Sequence, residues 1–450
     1  MDKMAIYNWL PIWGQNLACC YEGSRIKRTR YGKAFWRYLA EYENHNDWSY
    51  EQLCDYRDAR LRKMIHHCYD TVPYYTKLFK DSGINPDSIK TIDDLKVMPI
   101  LTKDEVKANI DSLTSAVVPK NEIKIHPTGG TTGAGLNFRT TNHEENEQWA
   151  VWWRYRRRHG ITVDTWCANF GGKVIVPLKY NKPPFWRINR PGKQIFYSGY
   201  HLCGETALLY AQSLKKSNIR WIHGYPSNVA VLASFLIENG IQIPMSWVSI
   251  GAENLYDNQK KQIEAAFGTR PLQHYGLTEG VANISEQEDG ILTVDEDFSC
   301  VEFLPDATGN SRIVGTTLTN YAMPLLRYDT GDYAIISQKV PAKSGRIVDG
   351  MYGRSNEYVI LPNGVKVGTA AISLILSRFT DIQRTQIVQS DMSSIIVNIV
   401  LSGGADHFKD DILIRALRER LGGELKISII HVSDLKKTNS GKYKLVISSL

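Results

Sequence analysis

Between Ile219 and Phe267 the chain switches twice from a short apolar run to a helical pattern, and this rhythm restricts the fold more than any other stretch. Ile219-Arg-Trp-Ile222 reads as a strand, Gly224-Tyr-Pro-Ser227 as a turn, and Asn228 to Glu238 as an apolar helix stopped by Gly240. Trp247-Val-Ser-Ile250 reads as the next strand and Asp257 to Phe267 as the next helix. Parallel neighbours need a crossover long enough to hold a helix, so the alternation predicts a mostly parallel α/β sheet. In such sheets ligands gather beyond the carboxyl ends of the strands. Two short motifs fall there, Gly251-Ala252-Glu253 and Tyr275-Gly276-Leu-Thr278-Glu279.

Elsewhere the patterning changes. Leu53, Tyr56, Leu61, Met64, Ile65 and Cys68 predict a helix over 50–69, broken by Thr71-Val-Pro-Tyr-Tyr75. Thr102 with Glu105 is a capping-box pattern opening the next helix. From about Gly290 short strands dominate: Ile291 to Val294, Cys300 to Leu304 and Ser311 to Leu318. After Arg354 the pattern is a compact α+β module, with a helix over 369–379, strands near 384–390 and 394–400, a helix over 407–420 and a strand over 425–430. The expected fold class is therefore α/β. A large N-terminal domain (1–354), with mostly parallel sheets and a β-rich subdomain over about 290–354, precedes a small mobile α+β lid (357–450), hinged at Ser355-Asn356.

At 450 residues the chain has material for two to three domains. Its net charge of +7 suits a polyanionic small ligand, and no groove-reading motif points to nucleic acid. Seven cysteines without framework spacing fit a reducing cytoplasm, and the lack of a CxxC pair argues against structural zinc. The N-terminus lacks the cationic start and apolar core of a secretory signal, and the apolar run Val229 to Ile237 is too short to span a bilayer. A cytoplasmic protein is expected. Trp9, Trp13 and the basic run Arg25 to Arg30 permit two readings, an arm packed on its own domain or peripheral contact with a membrane.

Five motifs occur in one order: Pro127-Thr128-Gly129-Gly130-Thr131-Thr132-Gly133; Gly251-Ala252-Glu253; Tyr275-Gly276-Leu-Thr278-Glu279; Arg327-Tyr-Asp-Thr-Gly-Asp332 with Gly353-Arg354; and Gly441-Lys442. The first lies between two strand-like runs. Its glycines let backbone N–H groups approach phosphates and its threonines add hydroxyl donors, but the lysine of a Walker A loop is absent. In this order and at these separations the motifs resemble the adenylate-forming ligases, most of all the branch holding phenylacetate–CoA ligase and the CapK-like proteins of surface-polysaccharide clusters. The resemblance runs from about Leu61 to Lys444.

That resemblance implies an ATP-dependent, AMP-forming ligase that uses Mg2+. Thr128, Gly129, Gly130, Thr131, Thr132 and Gly133 would grip phosphate, although the family pattern usually has serine at the Gly129 position. Gly251, Ala252 and Glu253 would lie on one face of adenine, with Tyr275 on the other and Gly276 beside it. Glu279 would ligate Mg2+ and Thr278 would sit by the α-phosphate. Asp332 would accept from the ribose hydroxyls and Arg354 would hold ribose or phosphate. Lys442 would offset the charge growing between carboxylate and α-phosphorus, with Lys437 and Lys444 as rivals. Asp329 stands where the family commonly has arginine; Arg327 or Lys366 is expected to pair it.

The partners implied are a small carboxylate and an amine acceptor, with the CoA thiol as the alternative. Two other classes compete: a non-catalytic nucleotide- or acyl-binding protein, and a sugar-nucleotide transferase that would use Asp295-Glu-Asp297 as a metal-binding acid pair. His126, His223 and His274 adjoin motifs, but no acid or nucleophile lies at a useful spacing, so packing or substrate lining is expected of them. Trp149, Trp152, Trp153, Arg154 and Arg156 to Arg158 permit two readings, a core stripe with a solvated basic face or an acceptor pocket whose arginines bind a sulfate, uronate or phosphate.

Overall fold

The computed structural model describes residues 3–127, 137–177, 179–305, 311–341, 344–352, 358–362, 366–368, 372, 375, 376, 379, 381–402, 407–421, 425–437 and 443–450. The chain divides into two units. The first comprises 1–23, 164–272 and 352–450, and the second 24–163 and 273–351.

In the first unit the strands Trp247–Ile250, Trp221–Gly224, Cys167–Phe170, Gln194–Tyr197 and Trp186–Asn189 are neighbours in that order. All pairings are parallel except the last, where Trp186–Asn189 runs antiparallel at the edge. The expected βαβ unit is present, with Trp221 opposite Trp247 and Gly224 opposite Ile250, joined through helix Pro226–Glu238. Proline at the helix start is pre-organised for the first turn. Val229, Ala230, Val231, Leu232, Ala233 and Leu236 bury the helix nearly all round, and the chain leaves it through Gly240 at φ 64°. The strand begins two residues later than Ile219 and runs on to Gly224, because its pairing starts where Trp221 faces Cys167 and Trp247. A Cβ on Gly224 would stand 2.8 Å from both the Cβ and the carbonyl oxygen of Phe170.

The C-terminal part of this unit is a four-stranded sheet in the order Lys426–His431, Ser394–Leu401, Ile382–Asp391, Val446–Ser448, with helix Asp410–Leu421. The elements match the predicted ones to within a few residues. Leu413, Leu417 and Leu421 pack with Ile387, Val397 and Ile427 in one core. The predicted helix over 369–379 and the hinge at Ser355-Asn356 lie wholly or largely outside the described residues.

The second unit combines helices with a mainly antiparallel sheet. Its strands follow the order Ser299–Pro305, Ser311–Thr317, Tyr328–Ile336, Ile347–Tyr352, Leu292–Val294, Asn283–Glu286, Pro271–Gly276. Helix Tyr50–Thr71 opens on a Ser49/Gln52 capping box, and helix Lys103–Ala108 on the predicted Thr102/Glu105 box. Helix Asn142–Arg158 carries the tryptophan–arginine stripe.

A lattice of buried ion pairs fixes this unit. Arg154 meets Asp295 at 2.8 Å and Asp297 at 2.5 Å, and His45 lies 2.8 Å from Asp297. Arg57 and Arg346 meet Glu296 at 2.9 and 2.6 Å. Burial opposes the charge on Asp297, but Arg154 and His45 hold its carboxyl well below the usual carboxylate range. Every acid of Asp295-Glu-Asp297 is thus engaged by a cation, so the triplet is a structural feature and not an open metal pair.

Candidate active site

In the second unit, strand Pro271–Gly276 delivers Tyr275 and runs directly into a turn. The Gly280 N–H donates to the Leu277 carbonyl at 3.1 Å, which leaves Thr278 and Glu279 as the two central residues. Gly280 takes φ 64°, a left-handed conformation suited to glycine. Helix Asn142–Arg158 braces the strand and turn: Gln148 donates to the Leu277 carbonyl at 2.6 Å, and Trp152 donates to Asn283 Oδ1 at 3.0 Å. His274 lies 3.0 Å from the same oxygen and stacks on Tyr155. Gly276 sits inside this knot. A Cβ there would approach Asn283 Oδ1 to 2.7 Å, His274 Cε1 to 2.8 Å and Trp152 Nε1 to 2.9 Å.

Tyr275 donates its hydroxyl to Asp332 Oδ2 at 2.9 Å, joining two motifs 57 residues apart. Burial first, then the Asp332 carboxylate, pushes the Tyr275 phenol well above its ordinary value, so it remains a donor at neutral pH. Asp332 is buried and sits at a break in strand register, where Arg312 faces Tyr333 but Val314 faces Asp329. Thr330-Gly331-Asp332 bulges at that break. The Thr330 hydroxyl donates to the Ile313 carbonyl at 2.9 Å and accepts from the Asp332 N–H at 3.1 Å, while Gly331 takes φ 74°.

The expected pairing of Asp329 with Arg327 needs correction, and the side chain of Lys366, the other candidate, lies outside the described residues. Arg312, across the strand pair, reaches Asp329 at 3.2 Å. Arg327 cannot serve, because its guanidinium is engaged by the buried Glu302 at 2.8 to 3.1 Å and donates to the Met98 carbonyl at 2.5 Å. Its backbone is left-handed, at φ 50°, an uncommon state for a residue other than glycine.

In the first unit, strand Trp247–Ile250 ends at Gly251, whose N–H reaches the Gly224 carbonyl at 3.3 Å. Ala252 adopts φ 67°, an uncommon state for alanine, and turns the chain back so that Glu253 accepts from the Ser227 N–H at 3.2 Å. Glu253 therefore caps the helix Pro226–Glu238, where a carboxylate offsets the positive end of the helix dipole. His223 bonds to Ser249 at 3.0 Å, and Trp221 donates to the same hydroxyl at 2.8 Å.

An isolated antiparallel bridge pairs Lys437 with Tyr443. Lys437 Nζ donates to the Gly199 carbonyl at 2.7 Å and lies over the Tyr200 and Tyr443 rings at 5.4 and 5.0 Å. Burial lowers its pKa, against the opposing pull of Asp434 and Glu253. Tyr443 donates to Asp434 at 3.0 Å, and Arg384 pairs with Asp434 at 2.6 Å. Lys442 itself lies outside the described residues, as do Arg354 and Thr128 through Gly133. The flanks of the threonine–glycine segment form an antiparallel ribbon, Lys124–Pro127 on Asn137–Thr140, with Pro127 opposite Asn137.

Sequence reasoning missed Gln148 and Arg312, which lie outside the five motifs, and gave no role to Thr330, which lies inside the fourth. Of the two readings of the tryptophan–arginine stripe, the contacts favour the structural one. Arg154 is locked in ion pairs, Arg156 covers the Trp153 ring at 5.0 Å, Arg157 meets Glu43 at 3.0 Å and Arg30 covers Trp149 at 3.7 Å. Among the described residues no three His, Cys, Asp or Glu side chains converge as a metal cluster. The half-exposed Glu279 carboxylate nonetheless fits Mg2+, which commonly takes one or two carboxylates and completes its shell with phosphate and water.

Residues 359–449 match the CapK C-terminal domain family. Protein CapK of Staphylococcus aureus is 26% identical over 458 residues, covering 99% of each chain. Phenylacetate-coenzyme A ligase of Thermus thermophilus is 22% identical over 445 residues, covering 88% of this chain and 96% of that one. Among solved structures, 2-hydroxyisobutyryl-CoA ligase in the postadenylation state with R3-HIB-AMP shares the fold. Its TM-score is 0.66 at 14% identity, covering 87% of this chain and 89% of that one.

Proposed function

We infer that this chain, a relative of the CapK-like and phenylacetate–CoA ligase branch of the adenylate-forming superfamily, is an ATP-dependent, AMP-forming ligase that activates a carboxylate as an acyl-AMP. The observation that carries the reading is the Tyr275–Asp332 hydrogen bond, which joins the aromatic and the ribose-binding motifs in one unit. Asp332 keeps a second carboxylate oxygen that can accept from a ribose hydroxyl, and Tyr275 keeps its ring face for a purine. Gly251, Ala252 and Glu253 retain the adenine-side role that the resemblance gives them. Thr128 to Gly133, Thr278 and Arg354 retain the phosphate and ribose roles.

In the first step a substrate carboxylate oxygen attacks the α-phosphorus and pyrophosphate leaves. Lys442 is placed in this step as the cation that offsets the charge developing at the α-phosphate. Glu279 would hold Mg2+, which when bound neutralises charge on the phosphates.

In the second step we propose an amine acceptor. Its nitrogen attacks the acyl carbonyl, loses a proton, and AMP leaves, giving an amide. The near-full-length likeness to a CapK protein favours this step and a role in surface-polysaccharide (capsule or O-antigen) biosynthesis. The phenylacetate–CoA ligase relatives favour the alternative, attack by the CoA thiol to give a thioester. Pyrophosphate exchange over a panel of carboxylic acids tests the first step, and silence with every acid refutes it. AMP release driven by hydroxylamine and not by CoA supports the amide; release stimulated by CoA overturns it.

A further inference from the structure

The N-terminal helices are built inside out. In Lys3–Trp9 and the Ile12–Gly23 part of helix Ile12–Arg30, large apolar side chains face solvent. Trp9 exposes 91% of its surface, Trp13 69% and Tyr21 71%, with Leu17 at 61%. Trp13, Leu17 and Tyr21 are four residues apart and form one stripe. The polar and small residues point inward. Arg187 donates to Gln15 at 2.6 Å, the Ile188 N–H donates to Asn16 at 2.9 Å, and Cys20 donates to the Ile188 carbonyl at 3.5 Å. Gly23 lies so close to Asn189 that a Cβ would fall 1.9 Å from its amide oxygen.

The inward polarity has a clear cause. Trp186–Asn189 is the edge strand of the first unit's sheet, and its unpaired backbone groups need polar partners. The outward aromatic stripe has no such cause, since contiguous exposed apolar surface marks a site that something covers. The charge beside it indicates what. From 165 to 204 the chain has no Asp or Glu, yet it carries six Lys or Arg, and Lys173, Lys179, Lys182 and Arg190 are exposed. This segment is the one the helices rest on, through Ile175, Ile188 and Arg190.

We propose that this face docks on an anionic lipid surface, with Trp9, Trp13, Leu17 and Tyr21 entering the headgroup–acyl boundary and the lysine-rich segment facing the lipid charge. Tryptophan and tyrosine favour that boundary, and cations beside an apolar helix face strengthen binding to anionic lipid. A second copy of the chain is disfavoured as occupant, because a two-fold contact would oppose the same cations to one another.

The test is flotation of the full chain with phosphatidylcholine vesicles, with and without phosphatidylglycerol. Binding is expected only with the anionic lipid, and it should fall steeply as salt rises from about 0.1 M, where the Debye length is about 10 Å. Removing Lys179 and Lys182 as glutamines should weaken binding about fivefold per cation. Trp9→Ser with Trp13→Ser should abolish it, Trp9→Tyr should retain it, and turnover in free solution should stay unchanged in all three. No binding to phosphatidylglycerol vesicles overturns the proposal. So does light scattering in which the serine variants convert a dimer to a monomer, which would make a second copy the occupant.

Discussion

Replacing Gly276 with alanine tests whether the Trp152–Asn283–His274 knot fixes the position of Tyr275. The added methyl would meet three side-chain atoms at 2.7 to 2.9 Å, two of them in rings. None is the far end of a flexible chain. Overpacking of this kind costs about 1–3 kcal/mol. If Asn283 yields, its bonds to Trp152 and His274 weaken, at about 1 kcal/mol each. A total loss of about 3–5 kcal/mol follows. Gly280→Ala is the control: its nearest neighbour would be Thr319 Oγ1 at 3.6 Å, so only the φ of 64° opposes it. That left-handed backbone costs about 1–2 kcal/mol. Urea unfolding of both variants gives the stabilities, and calorimetric titration with ATP gives the affinity. Gly276→Ala should lose more stability than Gly280→Ala and bind ATP at least about tenfold more weakly, the equivalent of 1.4 kcal/mol. Adding Asn283→Ala should cost less than the sum of the single changes, because the clash and the lost bonds share one atom. Wild-type stability and ATP affinity in Gly276→Ala would refute the reasoning.

Lys442→Ala should cut pyrophosphate exchange by about 10²–10³-fold. It should leave transfer from a supplied acyl-AMP nearly intact, which separates adenylation from acyl transfer. Arg312→Ala strips Asp329 of its cation beside the register break, and KM for ATP should rise about two- to fivefold, the scale of a part-exposed pair, with the effect shrinking in high salt. Glu145 gives a pH signature. Burial alone would raise its carboxyl, but His126 at 2.9 Å and Lys124 at 2.5 Å bring it from 4.5 down to about 2. A depressed carboxylate stabilises the fold above its unfolded pKa, and that contribution disappears as pH falls through the folded one. Glu145→Gln should therefore be less stable than wild type at neutral pH, and the gap should close between pH 4.5 and about 2 in urea titrations.

Local chemistry was the readable part of this chain. The Thr102/Glu105 box spans four residues, and the helix Asp257–Phe267 carries its own period and a Gly268 stop, so neither depends on distant partners. The strand predicted at Ile219 shifted because its pairing is decided by Cys167, which the sequence places 54 positions away from Trp221. The ion pair Arg312–Asp329 is a cross-strand event set by register, and a three-residue bulge hides that register from any periodic pattern, while Arg327, just before the same strand, reaches Glu302 two strands away. Tyr275 and Asp332 were both named through resemblance, as separate nucleotide contacts. Their direct hydrogen bond needed the sheet, since it joins one end of the unit's strand order to a strand four places away.

The bridge between Lys437 and Tyr443 leaves only the short span 438–442 to carry Lys442. Lys437 is held in turn by the Gly199 carbonyl and lies over the Tyr443 ring, so both described ends of that span share one mooring on the first unit. A substitution that removes the Lys437 ammonium would therefore loosen both ends at once.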